Sequence, residues 1–199
     1  SLVPNLDEVF IISQTERVSH SFDCFDDAHI RDSYEPNFVL DLMKKQEIRV
    51  KKMGKDKAPK ILLILDDVIG TLKPDEANLN RIFTMGRHIN LAVCVLLQYS
   101  KKCMSPIIRA NVDYLFINRL PDQGMRNVYE TVHYPGGFRK FQQFLQEKQK
   151  DKPYTFLLYN SLTKQDSERW QCVTAPEQRA EFSIVYSRAD GADGGKETP

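Results

Sequence analysis

The chain has 199 residues, of which 41% are hydrophobic and 28% are charged, so it is long enough to bury one ordinary globular core. Its formal net charge of +1 excludes a broadly basic protein, and any contact with nucleic acid must come from a local patch or from assembly into a ring. The four cysteines and four histidines are scattered without C-x-x-C or H-x-x-x-H spacing, which argues against zinc sites and a disulfide framework and favours buried, reduced thiols. No apolar run reaches the length of a membrane span.

Patterns of apolar residues in the first part of the chain predict a strand, a helix and a second strand. Residues 9–13 (VFIIS) form a short apolar run that is typical of a buried strand, and Gln14 and Thr15 follow at its end. From Pro36 onward, apolar residues recur at helical spacing, and a charged stretch follows as helix tail and linker. The apolar run of residues 61–65 (ILLIL) then predicts a strand that is buried on both faces.

The rest of the chain continues this alternation. The predicted elements are a helix that ends near Gly86, a strand over 91–97, a short helix opened by Ser105 and Pro106, a strand over 113–118, helices within 122–149 and a strand over 154–159. Strands that alternate with helices predict a parallel α/β sheet. We therefore expect one α/β domain over residues 1–186 and a disordered, low-complexity tail over residues 187–199.

Two adjacent carboxylates, Asp66 and Asp67, follow the apolar run at 61–65. A carboxylate at the carboxyl end of a buried parallel strand lies at the edge of the sheet where α/β proteins bind ligands. There it can hold a magnesium ion against nucleotide phosphates, which is the arrangement called Walker B. The alternative is structural, because two aspartates can also start a turn and cap the segment that follows.

A polar side chain also ends the next predicted strand, since Gln98 directly follows the apolar run at 91–97. If the two strands are neighbours, about 4.8 Å apart, Asp67 and Gln98 share one edge of the sheet. A carboxylate that polarises water and an amide that orients it or senses a γ-phosphate can then converge on one nucleotide. In the structural alternative, Gln98 only caps a turn.

Basic residues extend this pattern. Arg87 follows Gly86 at a helix terminus and Arg109 lies in the sequence IIRAN, and both are expected near the same edge of the sheet, where a guanidinium group can contact phosphates in a bidentate manner. The alternative for each arginine is a surface salt bridge. Lys101 and Lys102 are candidates for contact with a nucleic-acid backbone, and the alternative for them is a solvated pair.

The order of these residues resembles that of a known superfamily. Along the chain come Asp-Asp at 66–67, Gly-Arg-His at 86–88, the apolar strand, Gln98, and Ile-Arg-Ala-Asn at 108–111. Together they resemble the FtsK/HerA superfamily of DNA-pumping ATPases, and most closely the genome-packaging ATPases of large DNA viruses and related virus-like elements. The resemblance covers roughly residues 9–120.

The resemblance implies a role for each candidate residue. Asp66 would hold magnesium, Asp67 would occupy the catalytic acidic position, and Gln98 would be the polar sensor. Arg87 or Arg109 would be the arginine finger that reaches the nucleotide of a neighbouring subunit. Many members of the superfamily have Glu where this chain has Asp67, and the shorter side chain reduces the reach to the attacking water without changing the metal site.

The resemblance also implies a RecA-like P-loop NTPase fold, in which helices flank a parallel sheet. The implied function is that of an ATP-driven double-stranded DNA translocase, which packages a viral genome into a preformed capsid with ATP and Mg²⁺ as cofactors. The expected partners are double-stranded DNA, further copies of the chain in a homo-oligomeric ring, and capsid or portal proteins. The expected location is intracellular, in the host cytoplasm or nucleus, and associated with the virion.

One motif of the superfamily is absent from the 199 residues. No G-x-x-x-x-G-K-[ST] sequence occurs, and Gly54 and Lys55 are followed by Asp56 in a charged segment. The superfamily has this P-loop before the strand at 9–13, and the chain does not begin with Met, so we expect that Ser1 follows the P-loop strand and helix. Such a chain would have a gap in its sheet and would be inactive by itself.

Two other functional classes are alternatives. A non-catalytic assembly or scaffold derivative of the same fold would no longer bind ATP. A phosphotransfer domain of receiver type also uses paired acids at the end of a strand, but it needs a phosphoacceptor aspartate where this chain has Gln98. Nucleotide binding separates the motor from the scaffold.

Overall fold

The computed structural model describes residues 6–68, 77–97, 105–150, 154–165 and 168–174. Its elements, in chain order, are β1 (Glu8–Ser13), α1 (Glu16–Ser19), β2 (Ile30–Arg31), α2 (Pro36–Met53), β3 (Ile61–Asp66), α3 (Ala77–Met85), β4 (Leu91–Leu96), α4 (Pro106–Ala110), β5 (Tyr114–Ile117), α5 (Asp122–Val132), α6 (Phe138–Gln149), β6 (Thr155–Asn160) and β7 (Trp170–Thr174). Short 3-10 turns at Asp27–His29 and Gly86–His88 precede β2 and β4. The helices and strands predicted above lie within a few residues of these positions, whereas α1, β2 and β7 were not predicted.

Four strands form a parallel sheet in the order β2-β1-β3-β4. β3 pairs with β1 on one side and with β4 on the other, and Ser13, Asp66 and Leu96 form one row at the carboxyl edge. This parallel sheet with flanking helices confirms the predicted α/β class. It also confirms that the strand ending in Asp66 and the strand leading to Gln98 are neighbours.

One face of this sheet is covered by helices. The side chains of Leu63 and Leu65 on β3 are fully buried and pack in one core with α2, α3 and α4. Helix α2 begins with Pro36 in its first turn. Backbone N–H groups there have no partner within the helix, so the missing N–H of proline costs no hydrogen bond. Helix α4 is capped by Ser105, whose hydroxyl oxygen accepts a hydrogen bond from the N–H of Ile108. The apolar stripes of these helices therefore fix the sheet from one side.

The opposite face is only partly covered by the described part of the chain. Leu62 and Ile64, which alternate with the buried residues of β3, are half-buried, and Leu96 on β4 is 45% exposed. β4 is also the last strand of this sheet, so one of its edges has no partner strand among the described residues. Parallel sheets are usually covered on both faces, and a free apolar edge pairs readily with another strand. The expected gap in the sheet stays a prediction.

The strands predicted at 113–118 and 154–159 do not belong to the parallel sheet, and that part of the prediction is wrong. They form β5 and β6, which are antiparallel to each other in a second sheet of order β5-β6-β7. Periodicity locates a buried strand but does not determine its direction or its sheet. Helices α5 and α6 pack on this second sheet around Ile117, Leu157 and Phe141.

The described ranges end at residue 174, so the predicted tail at 187–199 lies outside them. The extent of the domain, residues 1–186, therefore stays a prediction. In the ranges that the structure covers, no helix combines the length and the apolar character that crossing a membrane requires.

Candidate active site

The carboxyl edge of the parallel sheet brings together a buried hydroxyl group and two adjacent carboxylates. Asp66 is the last residue of β3, and its Cα lies opposite those of Ser13 on β1 and Leu96 on β4. The Ser13 hydroxyl donates a hydrogen bond of 2.9 Å from Oγ to Oδ2 of Asp66. Ser13 is only 1% exposed and Asp66 is half-buried, so the donor of this bond is shielded from bulk water. It holds one oxygen of the Asp66 carboxylate in place.

Asp67 begins the turn that follows β3. Its φ of 49° lies in the left-handed region, which aspartate adopts more readily than most residues. The next residue, Val68, is fully buried and anchors the turn. Asp66 and Asp67 are both left half-buried at the edge of the sheet. This conformation suits either of the roles that the sequence allows, a catalytic acid or a turn residue.

The donor groups at this edge fit a magnesium ion. Mg²⁺ prefers oxygen ligands and is usually bound by one or two carboxylates together with substrate phosphates and water. Asp66 and Asp67 supply such carboxylates. Across the described ranges, no group of three or more His, Cys, Asp and Glu residues could hold a metal ion by itself. Phosphate and water typically complete the coordination of Mg²⁺ at sites with one or two carboxylates.

Cys94 on β4 lies close enough to Asp66 to be affected by its charge. Cys94, like Cys24 and Cys172, is exposed, so the expectation of buried cysteines is wrong for these three residues. Partial desolvation and, to a lesser extent, the Asp66 carboxylate raise the pKa of the Cys94 thiol. The thiol therefore stays protonated at neutral pH, where it is a poor nucleophile and a poor metal ligand.

Three of the candidate residues, Gln98, Lys101 and Lys102, lie outside the described residues. β4 ends at Leu96 in the same row as Asp66, and the described range ends one residue later. The sensor role of Gln98 and the contact of Lys101 and Lys102 with nucleic acid stay predictions.

Arg87 lies at the opposite edge of the sheet from Asp66. It belongs to the Gly86–His88 turn before β4, whereas Asp66 pairs with Leu96 at the far end of this 6-residue strand. Because such a strand spans roughly 17–20 Å, the predicted placement of Arg87 near the Asp66 edge is wrong. Arg87 forms an ion pair of 3.1 Å with Asp113, and the two side chains are 47% and 39% exposed. A role for Arg87 as a finger therefore requires a neighbouring subunit.

Arg109 lies in the last turn of α4 and forms an ion pair of 3.4 Å with Glu130 on α5. The Arg109 side chain is 32% exposed and that of Glu130 is 64% exposed. Pairs of this kind typically contribute about 0.2–1 kcal/mol to stability. Both arginines thus make the salt bridges that were their structural alternative, and the finger role of either one stays a prediction.

Ser13 is the residue of this edge that the sequence analysis missed. It was noted only as the end of the run at 9–13. A serine that ends an otherwise apolar run was a visible signal, but its partner Asp66 is 53 residues away in the chain. The pairing register of β1 and β3 was needed to bring the two residues together.

One protein family matches most of the length of the chain. The family described as Poxvirus A32 protein matches residues 26–184. The chain belongs to this family. The range shared with the A32 family contains all of the predicted site residues, from Asp66 to Arg109, whereas Ser13 lies before it. No individually curated protein matches the chain.

Solved structures of similar fold come from the genome packaging NTPase B204 of Sulfolobus turreted icosahedral virus 2. The complex of B204 with AMPPCP has a TM-score of 0.52 and 14% sequence identity, and the match covers 86% of this chain and 99% of that chain. The complex with sulfate has a TM-score of 0.53 and 16% identity, with 87% and 84% covered. At these identities the likeness shows the fold. The A32 family chain thus has a P-loop NTPase fold, and the predicted resemblance to viral genome-packaging ATPases is confirmed.

Proposed function

We propose that this member of the A32 family is part of an ATP-driven motor that moves double-stranded DNA into a preformed viral capsid. The observation that carries the proposal is the pair of carboxylates, Asp66 and Asp67, at the carboxyl edge of a parallel sheet in a P-loop NTPase fold. B204, which is described as a genome packaging NTPase and was solved with the ATP analogue AMPPCP, supports the reaction class. ATP and Mg²⁺ are the proposed cofactors.

The residues of the edge would divide the work of hydrolysis. A bound Mg²⁺ supplies charge neutralisation for the phosphates of the nucleotide. Asp66 would hold that cation, while its Oδ2 is fixed by Ser13. Asp67, on the turn, would orient and polarise the attacking water, and Gln98 would report the presence of the γ-phosphate.

A homo-oligomeric ring would account for the position of Arg87. In one subunit Arg87 lies at the amino edge of the sheet, away from Asp66. In a ring, Arg87 or Arg109 of one subunit would complete the nucleotide site of its neighbour, where an arginine finger typically contributes about 10³-fold or more to the rate. The ring would act together with capsid or portal proteins.

The charge of the chain restricts how it would contact DNA. A formal net charge of +1 provides no broad basic surface. Contacts with the phosphate backbone would therefore be local, with Lys101 and Lys102 as candidates, and would add up around the ring. The proposed place of action is inside the infected cell, in the cytoplasm or nucleus, in association with the virion.

The half-covered face of the sheet supports a further part of the proposal. One edge of β4 has no partner among the described strands, and a strand that pairs there, followed by a helix, would cover Ile64 and Leu96. A P-loop unit has this strand–loop–helix form and supplies the backbone N–H groups and the lysine that hold the β- and γ-phosphates. Residues 1–199 without such a unit would bind ATP negligibly.

A non-catalytic assembly or scaffold protein is the second candidate. The observation in its favour is the absence of a G-x-x-x-x-G-K-[ST] sequence from the 199 residues. A protein of this kind would keep the fold and lose its affinity for nucleotide.

Nucleotide binding and hydrolysis decide between the two candidates. Protein expressed from the complete reading frame that contains residues 1–199 should bind ATP in the presence of Mg²⁺ and hydrolyse it faster with double-stranded DNA than without. Residues 1–199 alone should bind ATP far more weakly under the same conditions. A folded product of the complete reading frame with no measurable affinity for ATP would overturn the motor and support the scaffold.

A further inference from the structure

Ser13 is a polar residue in a position where packing alone favours an apolar one. Ile11 and Ile12, which precede it on β1, are fully buried, and Ser13 is only 1% exposed. A hydroxyl group that is buried without a hydrogen-bond partner destabilises the folded state, because it loses its hydrogen bonds to water. The hydrogen bond from Ser13 to Asp66 removes this cost and gives the hydroxyl group a specific partner.

This hydrogen bond limits how the Asp66 carboxylate can turn. An ionised carboxylate has two oxygens that accept hydrogen bonds or bind cations. The Ser13 hydroxyl is bonded to Oδ2, and the register of β1 and β3 fixes Ser13 directly opposite Asp66. Rotation of the carboxylate would break the bond, so Oδ1 is the oxygen that Ser13 leaves for a cation.

Thr15 extends the same chain of hydroxyl groups. Its Oγ1 lies 3.4 Å from Oγ of Ser13. Because the proton of the Ser13 hydroxyl is used in the bond to Asp66, Thr15 is the donor in this second contact. The direction of both bonds thus runs from Thr15 through Ser13 to Asp66.

We infer that Ser13 is a positioning residue for binding of the magnesium–nucleotide complex, and this inference rests on the proposed function. Ser13 acts through Asp66 and does not contact the nucleotide. Groups that orient a metal-binding carboxylate typically contribute about 10- to 100-fold to metal affinity. Ser13 would therefore affect the affinity for the cation more than that for the nucleotide alone.

The test compares three variants of the protein expressed from its complete reading frame. Ser13→Ala removes the donor, and Ser13→Thr keeps a hydroxyl group. Ser105→Ala is the matched control, because Ser105 is also buried, at 8% exposed, and also donates to a side-chain oxygen, Oδ1 of Asn80 at 2.6 Å. Mn²⁺ serves as the probe, and its Kd is measured by electron paramagnetic resonance in the presence of saturating AMPPCP, where no turnover occurs.

We expect Ser13→Ala to bind Mn²⁺ on the order of 10-fold more weakly than the wild type. Its affinity for AMPPCP without metal should be unchanged, which also shows that the variant is folded. Ser13→Thr and Ser105→Ala should bind Mn²⁺ like the wild type. A wild-type Kd for Mn²⁺ in Ser13→Ala would overturn the inference, and so would an equal loss in Ser105→Ala.

The proposed function fails in a different way. If the wild-type protein did not bind Mn²⁺ together with AMPPCP, or if Asp66→Asn left that binding unchanged, the magnesium site itself would be refuted. If Asp66→Asn weakened the binding and Ser13→Ala did not, only the role of Ser13 would be lost.

Discussion

Asp66 and Asp67 are adjacent in the sequence, but the structure gives them different backbone settings. Asp66 ends a regular parallel strand, and its carboxylate is tied to Ser13. Asp67 lies on the following turn with a φ of 49°. A carboxylate that is held in place suits a cation, whereas an acid on a turn can adjust to an attacking water. The backbone position of Asp66 therefore favours binding of a cation, and that of Asp67 favours activation of water.

We predict that single amide variants separate these tasks. In the protein from the complete reading frame, Asp67→Asn should keep ATP binding and lower turnover by roughly 10²-fold or more, because an amide does not act as a base toward water. Asp66→Asn should weaken Mg²⁺-dependent binding, because the amide lacks the charge that balances the cation. Calorimetric titration of AMPPCP with and without Mg²⁺, together with phosphate release, measures both effects. Identical profiles for the two variants would contradict a division of work.

Glycine is required at position 86 because there is no room for a side chain, and not because of the backbone φ angle. It is buried in the turn before β4, and a Cβ atom there would collide with the main-chain carbonyl oxygen of Leu91. We predict that Gly86→Ala lowers the free energy of unfolding by about 1–3 kcal/mol, because the backbone must shift. Denaturation by urea measures the effect. Gly124→Ala is the control, since the atoms nearest to a Cβ at Gly124 belong to side chains, the closest being Leu120 Cβ at 3.3 Å. Equal free energies of unfolding for the two variants would show that the start of β4 can shift without cost.

At the scale of the elements, β1, β3 and β4 were predictable because each is a short run of apolar residues. The sheet that each strand joins was not predictable, since β5 and β6 have the same apolar character as β4 but pair in antiparallel fashion. Arg87 precedes β4 in the chain and therefore lies at the opposite edge of the sheet from Asp66, contrary to the prediction. A residue before a parallel strand lies at the amino edge, so the direction of the chain already contained the answer.

The arginine-finger role is tested by two kinds of variant: one replaces the arginine of an ion pair, and the other replaces only its acidic partner. If Arg87 completes a neighbouring site, Arg87→Ala should lower turnover by about 10³-fold and leave nucleotide affinity nearly unchanged. Asp113→Asn removes the partner of Arg87 but keeps the guanidinium group, so turnover should persist. Arg109→Ala and Glu130→Gln form the corresponding pair for the other candidate.

Mixing the inactive arginine variant with wild-type subunits tests whether the site is shared. In a ring, a subunit without the finger should also inactivate the site of its neighbour, so turnover should fall more steeply than the fraction of wild-type subunits. A linear decline for both arginine variants would mean that Arg87 and Arg109 act only in their salt bridges.

At the scale of the whole molecule, hydrogen exchange tests whether another strand pairs with β4, which has no partner on one side among the described strands. In residues 1–199 alone, the β4 amides that point away from β3 should exchange fast, because no described strand pairs with them. In the protein from the complete reading frame, an added strand should protect these amides while the exchange of β3 stays unchanged. Equal exchange of β4 in both proteins would contradict an added strand at this edge.

The central claim is that the edge formed by Asp66 and Asp67 hydrolyses ATP. The most direct measurement is the steady-state rate of phosphate release with Mg²⁺ and double-stranded DNA, for the protein from the complete reading frame and for its double variant Asp66→Asn/Asp67→Asn. Asp41→Asn is the control, because Asp41 is a carboxylate on α2 that is 63% exposed and pairs with Lys44 of the same helix at 3.7 Å. We predict that the control keeps the wild-type rate and that the double variant loses turnover. Wild-type turnover in the double variant would contradict the assignment of this edge as the site of ATP hydrolysis.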